Sequence, residues 1–391
     1  MAAQQSRSPF LLSSAGRAIW LSAMITVYAP VLPAQGASAR VGSGVRTVDN
    51  PARRESPIAF TLAPTPSHDL GGLKSNPEDE FTANGGYLVG VGLSDGRHAV
   101  IDETRIRFFS ARGKQVGVTG RKGNGPGEFQ QITSICRTRG DTLVVNDPAN
   151  GRVTVLNATG RVVRSIAVGH VDLPWGGGCF DDGTFVLVTN APSVGGDSFM
   201  RLVRRRLDGS IINTIGPLWL STFDRFLPSF ATVVAQGTKL FVSDTRVSEV
   251  YVYTASGVLT TVIRTADPIE KLTAAEQRAL TPTFFSRPTN SAASKAILAE
   301  QNRLAKKPSR WPSYASIAVD PAGRLWVTSF RKSGTEPYTY TGFSPSGKML
   351  GRFVLPAATP AVAFTADGVM LHRQDNDGAE HLVTYKLLAR R

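Results

Sequence analysis

Turn-forming glycines recur along this chain at regular spacings, and this recurrence restricts the fold more than any other feature. The turns lie at Asp95-Gly96, Gly140-Asp141, Asp182-Gly183, Gln236-Gly237, Ala322-Gly323 and Asp367-Gly368. Successive turn glycines are 44, 43, 54, 86 and 45 residues apart, and β-branched or aromatic runs flank them. A second glycine follows each of the first five, at Gly113, Gly160, Gly209, Gly257 and Gly347. Each unit therefore holds two hairpin turns, which predict four strands.

Four-stranded units that repeat every roughly 40 to 50 residues are typical of β-propeller blades. The six turns therefore predict an all-β, six-bladed β-propeller. The last unit has only three strands before the chain ends, so we expect residues 58–62 to supply the fourth and close the ring. The spacing of 86 residues contains an insertion, residues 265–315, whose composition and apolar periodicity predict helices before blade five.

The second unit carries the most specific local pattern. It reads GRKGNGPGEFQQITSI over 120–135 and VVNDPANGRVTVLNATGRVV over 144–163. In these segments it resembles the NHL-type six-bladed β-propellers, and the resemblance extends unevenly over residues 84–388. The Asp that ends the second strand recurs as Asp102, Asp147 and Asp244, whereas the fifth unit has Ser329 there. The resemblance implies the fold, but such propellers include binding modules, lactonase-like hydrolases and metal-dependent lyases.

The first 39 residues have the features of a secretory signal peptide. Arg7 and Arg17 precede an apolar stretch over 18–29 that is too short to span a bilayer, and small residues allow cleavage after Ala39 or Ala34. We therefore expect an exported protein, periplasmic or secreted. Residues 40–56 are predicted to be a flexible linker and 57–391 the propeller, with no transmembrane segment.

The net charge of +14 raises the question of an anionic partner. The basic residues are scattered, and the densest group, Arg204, Arg205 and Arg206, lies in an alternating segment typical of an exposed strand edge. Because no basic groove with interleaved aromatic residues is present, we expect no nucleic-acid binding. A monomer is expected.

Candidate site residues lie on loops that a propeller gathers on one face, namely those between blades and those between second and third strands. The predicted ligand-binding residues are Asp147, Asn150, His170, Trp175, Asp244, Arg246, Trp311 and Arg331. The predicted donors for a divalent cation, with calcium the one considered, are Glu128, Asn150, Asn190 and Asp244. Structural alternatives stay open: an Asp at a strand end commonly accepts local backbone N–H bonds, and Trp311 could fix the insertion to the propeller.

Motifs for nucleophilic, zinc-dependent or phosphate-loop catalysis are missing from the sequence. We therefore predict no catalytic residue and expect no cofactor apart from the calcium alternative. The sequence favours a binding module for a small molecule, glycan or protein. The alternative is a metal-dependent lactonase- or esterase-like hydrolase or lyase on the same scaffold, and a third hypothesis is a structural role in an envelope assembly.

The two cysteines, Cys136 and Cys179, each lie four residues before the first glycine of adjacent units. Export would allow them to form a disulfide. However, equivalent positions in successive blades are expected to point the same way around the ring, whereas a disulfide needs converging side chains. The sequence therefore favours two buried thiols.

Overall fold

The computed structural model describes residues 44–71, 81, 89–169, 172–194, 197–222, 227, 229–277, 299, 303, 309–357, 359–365 and 368–390. Strands dominate these residues, and the short 3₁₀ turns at Arg53–Glu55, Arg139–Asp141 and Pro148–Asn150 connect or precede them. No helix within these ranges has the length and apolar character needed to cross a membrane.

The strands follow one another as short segments along the chain. In chain order they are β1 (Arg46–Asn50), β2 (Phe60–Leu62), β3 (His68–Gly71), β4 (Val89–Gly92), β5 (His98–Asp102), β6 (Arg105–Phe109), β7 (Gln115–Thr119), β8 (Ser134–Arg137), β9 (Leu143–Asp147), β10 (Arg152–Leu156), β11 (Val162–Ala167), β12 (Asp172–Cys179), β13 (Thr184–Val194), β14 (Asp197–Arg206), β15 (Ile211–Thr222), β16 (Ser229–Phe230), β17 (Val233–Gln236), β18 (Lys239–Asp244), β19 (Glu249–Thr254), β20 (Leu259–Thr265), β21 (Ser316–Val319), β22 (Leu325–Thr328), β23 (Tyr338–Phe343), β24 (Met349–Leu355), β25 (Ala361–Phe364), β26 (Gly368–Gln374) and β27 (Glu380–Ala389).

These strands form a propeller-like arrangement of sheets. Three four-stranded antiparallel sheets are made by β4–β7, β8–β11 and β21–β24, and a fourth sheet joins β25–β27 to β2 and β3. The remaining sheet has ten strands, from β12 to β20 with β1 at one edge. The expected all-β propeller arrangement is therefore confirmed, and the strands follow the chain order except where β1, β2 and β3 join sheets made by later strands.

The predicted hairpin turns follow from glycine backbone conformation. Of the eleven turn glycines, all except Gly368 have a positive φ, between +63° at Gly237 and +93° at Gly257. L-residues with side chains rarely adopt this region, so glycine is the residue that fits there. Gly368 serves a close approach instead, since a Cβ there would lie 2.2 Å from the carbonyl oxygen of Tyr385.

The apolar core lies between the faces of neighbouring sheets. Ile106 and Phe108 of β6 share one buried cluster with Leu143 and Val145 of β9. Complete burial of such a side chain contributes about 1.5–3 kcal/mol. Successive sheets are therefore held together by layers of aliphatic and aromatic side chains, while their strand ends carry the loops.

The N-terminal segment differs from the flexible linker predicted for residues 40–56. Residues 46–50 form β1, which pairs in parallel with β20, with Arg46 opposite Thr261. Asn50 explains the attachment, because its side-chain amide donates to the carbonyl oxygen of Gly347 at 3.1 Å and accepts from the backbone of Met349 at 2.8 Å. The linker prediction is therefore wrong for residues 44–56, which bridge two neighbouring sheets.

The predicted pairing between the two ends of the propeller is confirmed. β2 pairs antiparallel with β27, with Phe60 opposite Ala389. β3 continues along the same strand, with Leu70 opposite Leu382. Two short N-terminal strands thus cover the outer edge of the long C-terminal strand.

Only the two ends of the predicted helical insertion lie within the described residues. Lys271 and Arg310 form a β-bridge that brings these ends together. Residues 274–277 are helical, and Thr273 and Glu276 form a reciprocal capping box in which the Glu276 carboxylate accepts from the Thr273 backbone at 2.7 Å. The rest of the insertion, apart from 299 and 303, lies outside the described residues.

The two cysteines form a disulfide with their Cα atoms 5.6 Å apart, so the expectation of free thiols is wrong. The pairing of β12 with β13 shifts register between Gly176 and Cys179, and Gly178 has a φ of +92°. We infer that this irregularity turns Cys179 into a buried layer that also contains Val144 of the preceding blade. Cys136 packs against the same layer. Equal spacing in the sequence did not mean equal orientation.

Candidate functional site

Glu128, a predicted metal donor, stabilises its own loop. Its Oε1 accepts from Arg121 Nε at 2.8 Å, and its Oε2 accepts from the backbone N–H of Gly125 at 2.8 Å. The Gly125 bond and the Arg121 guanidinium hold the pKa of Glu128 below its usual range. Both oxygens are thus engaged, and a cation would have to displace these bonds.

Asp147 and Asn150, two predicted site residues, lie together at the end of β9 and hold the preceding loop in place. The Asp147 carboxylate is fully buried and accepts from the backbone N–H groups of Gln130 at 3.1 Å and Gln131 at 3.0 Å. Asn150 donates to Asp147 Oδ2 at 2.7 Å and to the carbonyl oxygen of Gly123 at 3.1 Å. These bonds fit the structural alternative, in which an Asp at a strand end accepts backbone N–H bonds.

Asp244 and Arg246 form a bidentate pair, in which Arg246 Nε and Nη2 lie 3.0 Å and 2.8 Å from the carboxylate. Arg246 also donates to Asp197 at 3.2 Å and stacks with its Cζ 4.1 Å from the centroid of the Trp219 ring. Burial alone would lower the pKa of Arg246, but the bonds to Asp244 outweigh it and raise the pKa. The guanidinium thus ties β14 and β15 to β18.

The other predicted residues lie apart from these pairs. Asn190 is exposed on β13, and Arg331 donates to the carbonyl oxygen of Gly334 while its Cζ lies 4.0 Å from the Tyr338 ring centroid. His170 and the side chain of Trp175 fall outside the described residues. Within the ranges given above, no three His, Cys, Asp or Glu side chains are grouped to hold a metal ion.

A cavity of about 210 Å³ lies beside blade β21–β24 and contains one of the predicted residues, Trp311. Four segments surround it: the N-terminal turn at 53–54, the two ends of the insertion at 267–270 and 311–313, and the loop after β22 at 329–332. Thr339, Thr341 and Arg352 of the blade complete its lining.

One wall of the cavity is aromatic. Trp311 is buried in a cluster with Leu227, against which Phe330 packs, and the Trp311 and Phe330 ring centroids are 5.7 Å apart. Lys332 Nζ lies 5.2 Å from the Trp311 ring centroid, a distance typical of cation–π contacts. Trp311 therefore fixes the end of the insertion to the blade and lines the cavity as well.

Arg53 also lines the cavity and is held firmly. Its backbone N–H and its Nε donate to the two carboxylate oxygens of Asp267 at 2.9 Å and 2.7 Å, and its Nη2 donates to the carbonyl oxygen of Ser313. Its Cζ lies 5.2 Å from the Tyr314 ring centroid. Arg53 also borders a second cavity of about 10 Å³ next to Ser248, a volume on the order of one water molecule.

The sequence alone did not identify most of this cavity. Arg53 lies in the supposed linker, and Thr341 and Arg352 lie on ordinary strands, far from both Arg53 and Trp311 along the chain. One signal was available: Ser329 stands where three other units have the strand-end Asp, and Ser329 lines the cavity.

Comparison with known proteins gives the fold. No family model and no curated protein matches the chain. Among solved structures, the chain is similar to a putative exported protein from Bacteroides fragilis, with a TM-score of 0.52 and 13% identity over 89% of this chain and 100% of that one. It is equally similar to a DUF4221 family member from Bacteroides vulgatus, with a TM-score of 0.52 and 10% identity over 85% and 99% of the two chains. These neighbours are β-propeller proteins, and at such identities the likeness concerns the fold alone.

Proposed function

We propose that this chain is an exported, monomeric six-bladed β-propeller of the NHL type that binds a ligand on its loop face without chemistry. Among the three ligand classes that the sequence favoured, a small molecule fits best, and the cavity of about 210 Å³ beside Trp311 carries this proposal. Small-molecule sites are typically concave, with apolar and aromatic walls and a few placed polar groups, as this cavity has.

The blade count of six depends on the ten-stranded sheet. Its strands divide into β12–β16 and β17–β20, and each part is antiparallel in chain order. A single parallel pair, Gly178 with Ala235, joins the two parts. Counting them as two blades, and adding the four separate sheets, supports the six-bladed arrangement.

Export is supported by three independent features. The first 39 residues resemble a signal peptide, and a similar structure is described as a putative exported protein. The Cys136–Cys179 disulfide belongs to the chemistry of oxidising compartments.

The position of the cavity agrees with a loop-face site. The connection from β20 to β21 and the hairpin between β22 and β23 both contribute to its lining. In an antiparallel blade, the loop between blades and the loop between the second and third strands lie at the same end. The metal-dependent alternative gains no such support, because Glu128, Asn150 and Asp244 already bond to protein groups.

A ligand screen tests the proposal. Neutral, cationic and anionic small molecules would be tested for an increase in the melting temperature of a chain beginning at residue 40. The variant Ser329→Phe fills the cavity, and Ser333→Phe, on the exposed part of the same loop, is its matched control. We expect compounds that stabilise the wild type and Ser333→Phe but not Ser329→Phe. If no compound stabilises the wild type, or if Ser329→Phe responds equally, the proposed site is wrong.

A further inference from the structure

The cavity lies where blade β21–β24 differs from the first blade, which has a buried ion pair at the corresponding positions. In β5 and β6, Asp102 Oδ2 and Arg107 Nε are 2.9 Å apart, and their side chains are 0% and 1% exposed. Arg107 faces Val100, two residues before Asp102. By the same register, Thr341 faces Val327, two residues before Ser329.

Ser329 and Thr341 therefore occupy the positions of that ion pair, and both line the cavity. Two small hydroxyl side chains take the place of a carboxylate and a guanidinium. These two positions therefore hold smaller side chains than in the first blade, whereas the second blade combines Asp147 with Thr154 at the same positions.

Four buried polar atoms of the cavity lining have no hydrogen-bond partner within the described part of the chain. Two of them are Nη1 of Arg53 and Nε1 of Trp311. The other two lie on residues that face each other across β23 and β24: Oγ1 of Thr341, a residue that is 0% exposed, and Nε of Arg352. A buried polar group without a partner is unfavourable, and native proteins satisfy most of them. A bound acceptor group would satisfy the Arg352 donor and the Thr341 hydroxyl together.

The charge of the lining also points to an acceptor that carries negative charge. Four cationic residues, Arg53, Arg54, Lys332 and Arg352, line the cavity with two acids, Asp267 and Glu270. Both acids are already paired, Asp267 with Arg53 at 2.7 Å and Glu270 with Lys332. Arg54 and Arg352 have no acidic partner among the residues described, so the lining has two surplus positive charges.

We propose that the ligand of this cavity carries a small oxyanion, a carboxylate or a phosphate, which binds Arg352 and Thr341 in the place of the missing Asp. This inference rests on the proposed function and names its ligand class. The guanidinium of Arg352 suits the forked geometry of oxyanions, and Trp311 and Phe330 provide a surface for the apolar remainder. The volume of about 210 Å³ is below the roughly 300–1,000 Å³ of drug-sized pockets, so the ligand, or the part that enters, is small.

Calorimetric titration at constant ionic strength tests the proposal with benzoate, its neutral analogue benzamide, and inorganic phosphate. We expect benzoate or phosphate to bind with one site, and benzamide to bind at least about tenfold more weakly than benzoate. Arg352→Gln should weaken anion binding by roughly tenfold. Arg201→Gln, an exposed arginine on β14 that loses the same charge, should leave it unchanged.

A second variant distinguishes a loss of anion binding from a loss of folding. Thr341→Val removes a hydroxyl that has no partner and keeps the side-chain shape, so the melting temperature should stay the same or rise while anion affinity falls. Tighter binding of phosphate than of benzoate would assign the oxyanion as a phosphate, and the reverse order as a carboxylate.

Three results would overturn the oxyanion proposal: no binding of either anion, equal binding of benzoate and benzamide, or equal behaviour of Arg352→Gln and Arg201→Gln. These results are distinguishable from failure of the proposed function. If neutral compounds from the screen bind the wild type but not Ser329→Phe, the binding site stands and only its ligand class is wrong.

Discussion

The Asp that ends the second strand of several blades is a structural residue wherever it is present. Asp102 is paired with Arg105 and Arg107, Asp147 with backbone N–H groups and Asp244 with Arg246. Asp102 and Asp244 are bound by arginines of their own hairpins, and Asp147 is bound by the backbone of the loop before β8. Ser329, which stands at this position in the fifth unit, lines the cavity beside Trp311 instead.

Asp102→Asn is predicted to destabilise the protein strongly. The change removes the charge of the carboxylate that lies 2.9 Å from Nε of the buried Arg107, and breaking a buried ion pair on one side typically costs about 3–5 kcal/mol. Denaturant unfolding measures the loss. The matched control is Asp95→Asn, whose carboxylate is 49% exposed and pairs with Arg97 at 2.7 Å; exposed pairs contribute about 0–1 kcal/mol. Equal losses in the two variants would contradict the assignment.

Asp141 is predicted to make stability depend on pH. Burial alone would raise its pKa, but hydrogen bonds from Ser94 and Arg137 hold the pKa below the ordinary value of 3.8. Because the folded pKa lies below the unfolded one, the carboxylate stabilises the protein fully above the unfolded pKa, and this contribution is lost as the pH falls through the folded pKa.

The variant Asp141→Asn measures this contribution, since asparagine tolerates the positive φ of 56° at this position. At pH 7 we expect a loss of about 1.5–3 kcal/mol, the magnitude of hydrogen bonds to charged groups. The difference between wild type and variant should stay constant from about pH 7 to 5 and narrow below about pH 4. A difference that persists unchanged in strong acid would show that the charge of Asp141 is not involved.

At the scale of elements, the disulfide joins the inner strands of two neighbouring blades. Its cysteines are 43 residues apart, and the chain-entropy model gives about 4 kcal/mol for a loop of that length. We predict that reduction, or the double change Cys136→Ala and Cys179→Ala, lowers the free energy of unfolding by about 2–5 kcal/mol. Reductant should have no effect on the double variant. Two titratable thiols in the unfolded, non-reduced protein would disprove the bridge.

The sequence predicted those elements that depend on local chemistry. Hairpin glycines such as Gly96 and Gly113 were found because a turn with positive φ favours one residue type. The orientation of Cys179 was mistaken because a register shift in β12 leaves no local sequence signal. Residues 46–50 were taken for a linker because β1 is short and its partner, β20, is far away in sequence.

The candidate site was only partly predictable, because it combines segments that lie far apart in the sequence. Trp311 was selected, whereas Arg53 and Arg352 come from distant segments that only the closed fold brings together. The repeat did contain a sign of the site, since Ser329 broke its pattern. In a repeat protein, a position that departs from the repeat is thus as informative as one that follows it.

The fold depends on two N-terminal strands, β2 and β3, that cover the edge of the C-terminal strand β27. β27 is ten residues long, and both β2 and β3 pair with it. Without them, its edge would be open, and long open edges promote aggregation.

Two truncations test this closure. A chain beginning at residue 57 loses β1 but keeps β2 and β3, so we predict cooperative unfolding at a lowered melting temperature. A chain beginning at residue 72 loses all three strands, and we predict aggregation or loss of cooperative unfolding. Size-exclusion chromatography and circular dichroism distinguish these results. If both truncated chains behave alike, closure by β2 and β3 is not required.

In the binding mode proposed above, blade β21–β24 holds an oxyanion at the position where three other blades have the strand-end Asp. The most direct test is a crystal structure of a chain beginning at residue 40, grown with 4-bromobenzoate, whose bromine is located by anomalous scattering. We predict the bromine in the cavity beside Trp311 and the carboxylate within hydrogen-bond distance of Arg352. A cavity without the ligand, or a carboxylate bound away from Arg352 and Thr341, would contradict the claim.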